Sequence, residues 1–228
     1  MKYGIIGAMD LETKLLIEAM VQPIETTIAG MLFYSGLLNN VESVVVTSGV
    51  GKVNAAACAQ ILITHFNVDR LINTGVSGAI QDDLEVGDIV ISTDCMEHDV
   101  DVTGFGYQYG VIPRMSTSTF IADETLIKRA LDASKKEVTD HKTIKGRIVS
   151  GDQFISSNER KAFILKHFNA STTEMEGAAI AHVAHLNNIP FVIIRSMSDK
   201  ADGSAHVNYD EFAVIAAHHS SNIILNML

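Results

Sequence analysis

A chain of 228 residues is long enough for one α/β domain or two small ones. Such a length buries roughly 70% or more of the surface exposed on unfolding, so the core needs no staples. Hydrophobic residues make up 47% and charged residues 19%, and no apolar run approaches the ~20 residues of a membrane span, which excludes a spanning protein. A net charge of −10, the lack of Trp and the lack of a basic stripe exclude a nucleic-acid backbone as partner, because phosphate binding needs clustered cations.

The opening MKYGIIGAMD has one Lys and a brief apolar stretch, and reaches Asp10 and Glu12 too soon for the apolar region of a signal peptide. Cys58 and Cys95 fall in no CxxC or other metal-like spacing, so buried reduced thiols and a cytoplasmic location are expected. Residues 2–6 predict a buried strand, followed by a tight turn at Gly7-Ala8-Met9. Asp10 is the expected N-cap of a helix carrying Leu11, Leu15, Leu16 and Met20, with Pro23 as its stop. Three strand-like runs follow at 24–29, 32–38 and 41–47, parted by Gly30 and by Asn39-Asn40, a good hairpin turn. Helical patterns cover 53–66, 122–137, 158–168, 177–187 and 209–228, and further strands are expected at 70–74, 88–93, 144–150 and 191–195. A polar and aromatic stretch occupies 97–113. With no linker or internal repeat, the economical reading is one α/β domain, 1–228, around a central sheet.

Four segments sit at the ends of predicted strands, where open α/β sheets bind ligands. They are GIIGAMDLE ending at Glu12, NTGVSG around Val76 and Ser77, VSGDQFI around Phe154 and Ile155, and the pair Glu174-Met175-Glu176 with Arg195-Ser196-Met197-Ser198-Asp199. Singly each is weak. A Glu one turn into a helix is usually a solvated residue favoured by the dipole, and a Gly-Val-Ser-Gly turn usually marks only a close backbone approach.

In order and spacing, these segments resemble the 5′-methylthioadenosine/S-adenosylhomocysteine nucleosidases of the purine nucleoside phosphorylase superfamily. The likeness runs through GIIGAM, SGVGKVNAA, INTGVSGA, VGDIVIS, HDVDVTGFGYQYG, VSGDQFI, TEMEGAAIAHV, Ile189-Pro190-Phe191 and RSMSD. The resemblance implies a mixed central sheet flanked by helices, a homodimer, a nucleoside substrate, a place in methionine salvage, and no metal or other cofactor. Carried over residue by residue, it makes Asp199 the acid that protonates purine N7 and Glu12 the carboxylate that activates water. Glu176 then grips the ribose hydroxyls and favours the oxocarbenium-like transition state. Met175 lies against the sugar, Arg195 helps position the water, and Phe154 and Ile155 hold adenine. Met9, Val76, Ser77, Glu174, Ser198 and Tyr209 complete the expected substrate contacts. Val102, Phe105, Tyr107 and Pro113 resemble the segment lent to the partner subunit's 5′-alkylthio pocket.

Two departures stand out. Many relatives carry Ser at the position of Val76, with a hydroxyl aimed at the catalytic Asp; here Ser198 is the candidate to assist Asp199 instead. Gly177 stands where relatives often have Ala, which weakens that helix start slightly.

Rival readings fare less well. Phosphorolysis needs cations for phosphate, yet the chain has only six Arg, the first at Arg70, and Glu12 would repel a dianion. A serine hydrolase centred on Ser77 lacks the last glycine of GxSxG. A P-loop at Gly51-Lys52 fails at Val46 and Val53, leaving Lys52 at the start of a helix that covers the sheet. His98, Asp99 and Asp101, or His182 and His185, lack a third metal ligand at diagnostic spacing. A non-catalytic nucleoside-binding protein is the reading from another class, and the intact Glu12, Glu176 and Asp199 set argues against it.

Overall fold

The computed structural model describes the backbone of residues 1–228, and the side chains at all positions except 206–208, 210 and 211. The chain opens with β1 (Tyr3–Gly7), α1 (Asp10–Glu18) and a run of three strands, β2 (Val21–Ile28), β3 (Met31–Leu38) and β4 (Val41–Thr47). Then come α2 (Lys52–Thr64), β5 (Arg70–Ala79), β6 (Ile89–Glu97), the short β7 (Phe120–Ile121) and α3 (Glu124–Glu137). The remainder is β8 (Thr143–Ser150), α4 (Asn158–Phe168), β9 (Thr172–Glu174), α5 (Gly177–Asn187), β10 (Phe191–Asp199) and α6 (Ala205–Met227).

All ten strands join one mixed sheet. β5 pairs in parallel with β1 and β10, and β10 turns antiparallel onto β6. β8 lies parallel to β6 and β9, and β9 returns antiparallel to β5. Strands β5, β10, β6, β8 and β9 therefore close a ring, from which β1, β4, β3 and β2 extend as an open sheet. β1, β10 and all of β5 but its first residue are buried along their length, which is why apolar and small residues dominate them and the polar exceptions Asn73, Arg195 and Asp199 are hydrogen-bonded. α1 and α3 pack on α6 in one helical layer, and α2 packs on α5 in another. A second apolar cluster joins Ile164 and Phe168 of α4 to Ile80, Val149 and Ile155.

Local chemistry explains four of the helix ends. Asp123 and Ser157 accept hydrogen bonds from the Leu126 and Arg160 N–H groups at 2.9 and 3.3 Å, as N-caps do. Asn169 and Asn188 end α4 and α5 in left-handed conformation, at φ 50° and 55°, which Asn tolerates.

Several expectations need correction. Asp10 is the first residue of α1 and Met9 holds the cap position, while Glu12 reaches back to the Met9 N–H at 3.0 Å. Pro23 does not end that helix. It lies in the edge strand β2, where the register shifts between Val21 and Ile24 and a missing N–H is tolerated. β5 and β10 run on through GVSGA and SMSD, because the two strands pair with each other from Leu71↔Phe191 to Gly78↔Asp199. Long-range pairing overrides the turn chemistry of those residues. β6 likewise runs beyond 93 to Glu97, and α6 begins at Ala205, before Tyr209. β7 and β9, two and three residues long, are too short to leave a period-2 signal. Among the described residues, no helix is long and apolar enough to cross a membrane.

Candidate active site

The parallel strands β1, β5 and β10 point their C-terminal ends at one cavity of about 410 Å³, a volume suited to a small organic ligand. Met9 and Glu12 come from the β1–α1 junction, Val76, Ser77 and Gly78 from β5, and Ser198 and Asp199 from the end of β10. Gln153, Phe154 and Ile155 close one side, Glu174, Met175 and Glu176 another, and Tyr209 reaches in from α6.

Glu12 is buried, with three main-chain donors around its carboxylate. Oε2 accepts from Ala8 at 2.7 Å and Met9 at 3.0 Å, and Oε1 accepts from Val76 at 3.0 Å. Burial raises its pKa above the ordinary carboxylate value, partly opposed by the charge of Arg195 and by the Val76, Met9 and Ala8 N–H groups. The result is a carboxylate oriented by backbone and more basic than an exposed one. A Cβ at Gly75 would collide with Glu12 Oε1, so only glycine lets β5 approach this group.

Beneath the cavity Arg195 is 1% exposed. Its Nη2 donates to Glu174 Oε2 and to Asn73 Oδ1, and Nη1 to the Ile194 carbonyl at 3.2 Å. Glu174 also accepts from Ser150 Oγ and from the Glu176 and Gly177 N–H groups at 3.0 and 2.8 Å. Burial alone would raise the Glu174 pKa; Arg195, Ser150 and Gly177 outweigh it and hold the value below the ordinary one. Glu174 borders the cavity, but its oxygens are spent on the protein.

Glu176 is the opposite case. One oxygen accepts from the Gly51 N–H at 2.7 Å. Burial first, and then the negative charge of Glu174, push its pKa up to about 8. Asp199, 2% exposed, accepts from Ser198 Oγ at 2.9 Å and from the Ala201 N–H at 2.8 Å. Ser198 therefore supplies the hydroxyl that Val76 cannot. Gly78 makes room for this carboxyl as Gly75 does for Glu12, since a Cβ there would come within 2.7 Å of Asp199 Oδ1.

Phe154 and Tyr209 meet edge to face with centroids 5.9 Å apart, and the Tyr209 hydroxyl lies 3.1 Å from Met9 Sδ. The Ser77 hydroxyl bonds Thr172 Oγ1 at 2.7 Å and lies 3.7 Å from Met197 Sδ, neither of them a base, so it is no activated nucleophile. Every expected catalytic and substrate residue borders the cavity except Arg195, which lies buried beneath it. Val102, Phe105, Tyr107 and Pro113 stand apart from it; Phe105 is 84% exposed. The sequence reading missed Val50, Gln153 and Thr173 as lining residues, and Gly51, Asn73 and Ser150 as partners of Glu176, Arg195 and Glu174. Gln153 and Ser150 stood inside a recognised segment, and Asn73 beside Gly75 in another.

Residues 2–228 match the phosphorylase superfamily. A 5′-methylthioadenosine/S-adenosylhomocysteine nucleosidase of Shewanella sediminis is 44% identical over all of this chain and 99% of its own length. The chain belongs to this nucleosidase family. The crystal structure of the Neisseria meningitidis nucleosidase of that name, in complex with methylthio-immucillin-A, superposes with a TM-score of 0.95 at 40% identity, covering 99% of this chain and 97% of that one. A futalosine hydrolase of Helicobacter pylori superposes with a TM-score of 0.94 at 33% identity, covering 99% of this chain and 96% of that one. Membership of the nucleosidase family, a family of glycosidic-bond hydrolases, bears out the expected enzyme class and mixed-sheet fold.

Two measurements test the geometry. In Gly78→Ala the added methyl displaces Asp199; a shift near 1 Å can cost about 10²-fold in rate, so adenine release from a nucleoside falls by that order while the fold survives. Glu176 holds a proton in the folded chain that the unfolded chain has released between its ordinary value of 4.5 and about 8. Stability therefore falls as pH rises through that window and levels off above it. Denaturant unfolding at several pH values should show a shallower fall for Glu176→Gln than for the parent, and equal slopes would exclude the raised pKa.

Proposed function

We propose that the protein, one nucleosidase domain spanning 1–228, hydrolyses the N-glycosidic bond of 5′-methylthioadenosine and S-adenosylhomocysteine, and also of 5′-deoxyadenosine. The products are adenine and the 5-substituted ribose. The observation that carries this reading is the pair Glu12 and Asp199, placed against Gly75 and Gly78 of one strand. Both carboxyls line one cavity of about 410 Å³, which has room for a ribosyl group and a water between base and acid.

Asp199 gives its proton to purine N7, and the C1′–N9 bond breaks with its electron pair moving into the base. Glu12 takes a proton from the water whose oxygen bonds C1′. Its three N–H donors aim the carboxylate, and Arg195 adds a positive charge behind the attacking side. Glu176 hydrogen-bonds the ribose hydroxyls, and once its proton has passed to solvent the carboxylate's negative charge favours the cationic sugar. Met175 covers the sugar. Phe154 and Ile155 hold the base, and Val76, Ser77 and Ser198 complete its surround. Met9 and Tyr209 border the 5′ substituent.

The electrostatics favour water over phosphate. Glu12, Glu174 and Glu176 border the cavity, and the nearby Arg195 is already paired with Glu174. Among the described residues that line the cavity, no cation stands free to replace the water of a desolvated phosphate dianion. The protein is further read as a cytoplasmic homodimer that needs no metal. Val53, Ile121 and Leu186 are exposed apolar residues on α2, β7 and α5, and α5 packs on both other elements. Together with Phe105 and Tyr107 they offer the partner an apolar surface, from which Val102, Phe105, Tyr107 and Pro113 would complete its 5′ pocket.

Incubation with each nucleoside, with and without phosphate, followed by detection of free adenine, tests the reading. Futalosine belongs beside them, read by release of its own purine base, given the likeness to a futalosine hydrolase. Adenine release independent of phosphate is expected; phosphate-dependent release would make the enzyme a phosphorylase, and no release a nucleoside-binding protein. Asp199→Asn and Glu12→Gln should each lose on the order of 10²–10⁴ in rate, and near-normal turnover by either removes it from the mechanism.

A further inference from the structure

Away from the reacting carboxylates, one charged cluster is tied into two walls of the cavity. The main-chain N–H of Lys52, first residue of α2, donates to Asp152 Oδ1 at 2.8 Å. The Asp152 N–H donates to Asp99 Oδ2 at 3.0 Å. Asp99 Oδ1 in turn accepts from Lys52 Nζ at 2.6 Å. Three distant segments thus close a ring of three charge-assisted bonds, and the ion pair within it is only 18% and 16% exposed, where screening is weak. Lys52 Nζ also donates to Glu97 Oε2 at 2.8 Å, and Glu97 Oε1 lies 3.1 Å from His182 Nδ1 on α5.

The ring sits between two parts of the site. Immediately before Lys52, Gly51 gives its N–H to Glu176 Oε1, so consecutive amides of one loop grip two different carboxylates. Gly51 holds φ +97°, a conformation open to glycine, and this aims the two amides. Immediately after Asp152 come Gln153, Phe154 and Ile155, which line the cavity. Asp152, Gln153 and Phe154 are exposed, so within 152–155 only Ile155 is anchored by burial.

We propose that Lys52, Asp99 and Asp152 form a positioning ring that sets the gap between Glu176 and the Phe154–Ile155 wall. None of the three lines the cavity. Without the Asp152 carboxylate, the 51–52 amides lose one of their two anchors and the 152–155 segment loses its tie to α2. Both the sugar carboxylate and the base wall then drift, so the ring acts on turnover and on binding together. The inference rests on the nucleoside-hydrolase reading of the same cavity.

The test uses the exposed member of the ring. In the full-length protein, Asp152→Ala is expected to lower kcat and raise KM for 5′-methylthioadenosine, with kcat/KM down about tenfold or more, at a melting temperature close to the parent's. Asp152→Asn keeps an oxygen to accept from the Lys52 N–H and should recover most of that loss. Lys52→Met breaks the ring at another bond and should reproduce the Ala phenotype, with active fraction measured by folded-protein signal. Parental kcat/KM in Asp152→Ala, equal loss in the Ala and Asn variants, or a loss matching the unfolded fraction alone would each overturn the ring. A parent that releases no adenine from any nucleoside would instead overturn the functional reading.

Discussion

The buried pair between Arg195 and Glu174 sets the charge balance on which the cavity depends. Four ionisable groups, Glu12, Glu174, Glu176 and Arg195, share a space from which water is largely removed. Isolated carboxylates there would neutralise. Arg195 prevents this selectively. It bonds Glu174 directly and holds that carboxyl ionised, it acts on Glu12 through space, and it reaches Glu176 least effectively. Carboxylates of similar sequence context are therefore pushed in opposite directions, Glu174 below its ordinary value and Glu12 and Glu176 above it, which is the condition for dividing labour among acids and bases. Such a pair is strong because neither partner can leave: removing one strands the other in low dielectric.

Glycine spacing along β5 converts that charge balance into geometry. Gly75 and Gly78 lie in a buried parallel strand, where glycine weakens pairing and packs nothing. Their justification is the space they vacate, occupied by Glu12 and by Asp199. The ladder with β10 fixes this arrangement, since Gly78 and Asp199 are register partners. Glu12 and Asp199 are thus referred to one rigid element, while the cavity-lining segments at 153–155 and 173–176 come from the far side of the strand ring.

Much of this was legible in the residues. Glu12, Glu176 and Asp199 announced themselves because side-chain chemistry carried in an ordered set of motifs is a residue-type signal. Their supports were harder to read. Gly51, Ala8 and Val76 act through main-chain N–H groups that any residue but proline supplies, so no residue type marks them. Ser198 was foreseen as a substitute for the missing hydroxyl at Val76, since it is the adjacent polar side chain; its bond to Asp199 follows from β10 continuing to its end. The strand lengths misled for the same reason. GVSGA and SMSD look like turns locally and are strands only because each lies beside the other. Pro23 read as a helix stop, but the helix had already ended at Glu18 and the proline belongs to a sheet border.

That border has a consequence for how the molecule behaves among copies of itself. Ring closure leaves β5, β6, β8, β9 and β10 with neighbours on both sides for part of their length, so this half of the sheet offers little template for foreign backbone. The long outer strand of the open half is β2, and its ladder is interrupted by the bulge between Val21 and Ile24 with Pro23 inside it. A chain approaching that side meets a kinked strand lacking one donor, with the charge of Glu25 close by. The same proline that obscured the sequence reading is thus placed to discourage cross-chain strand addition and the fibrous aggregation that follows from it.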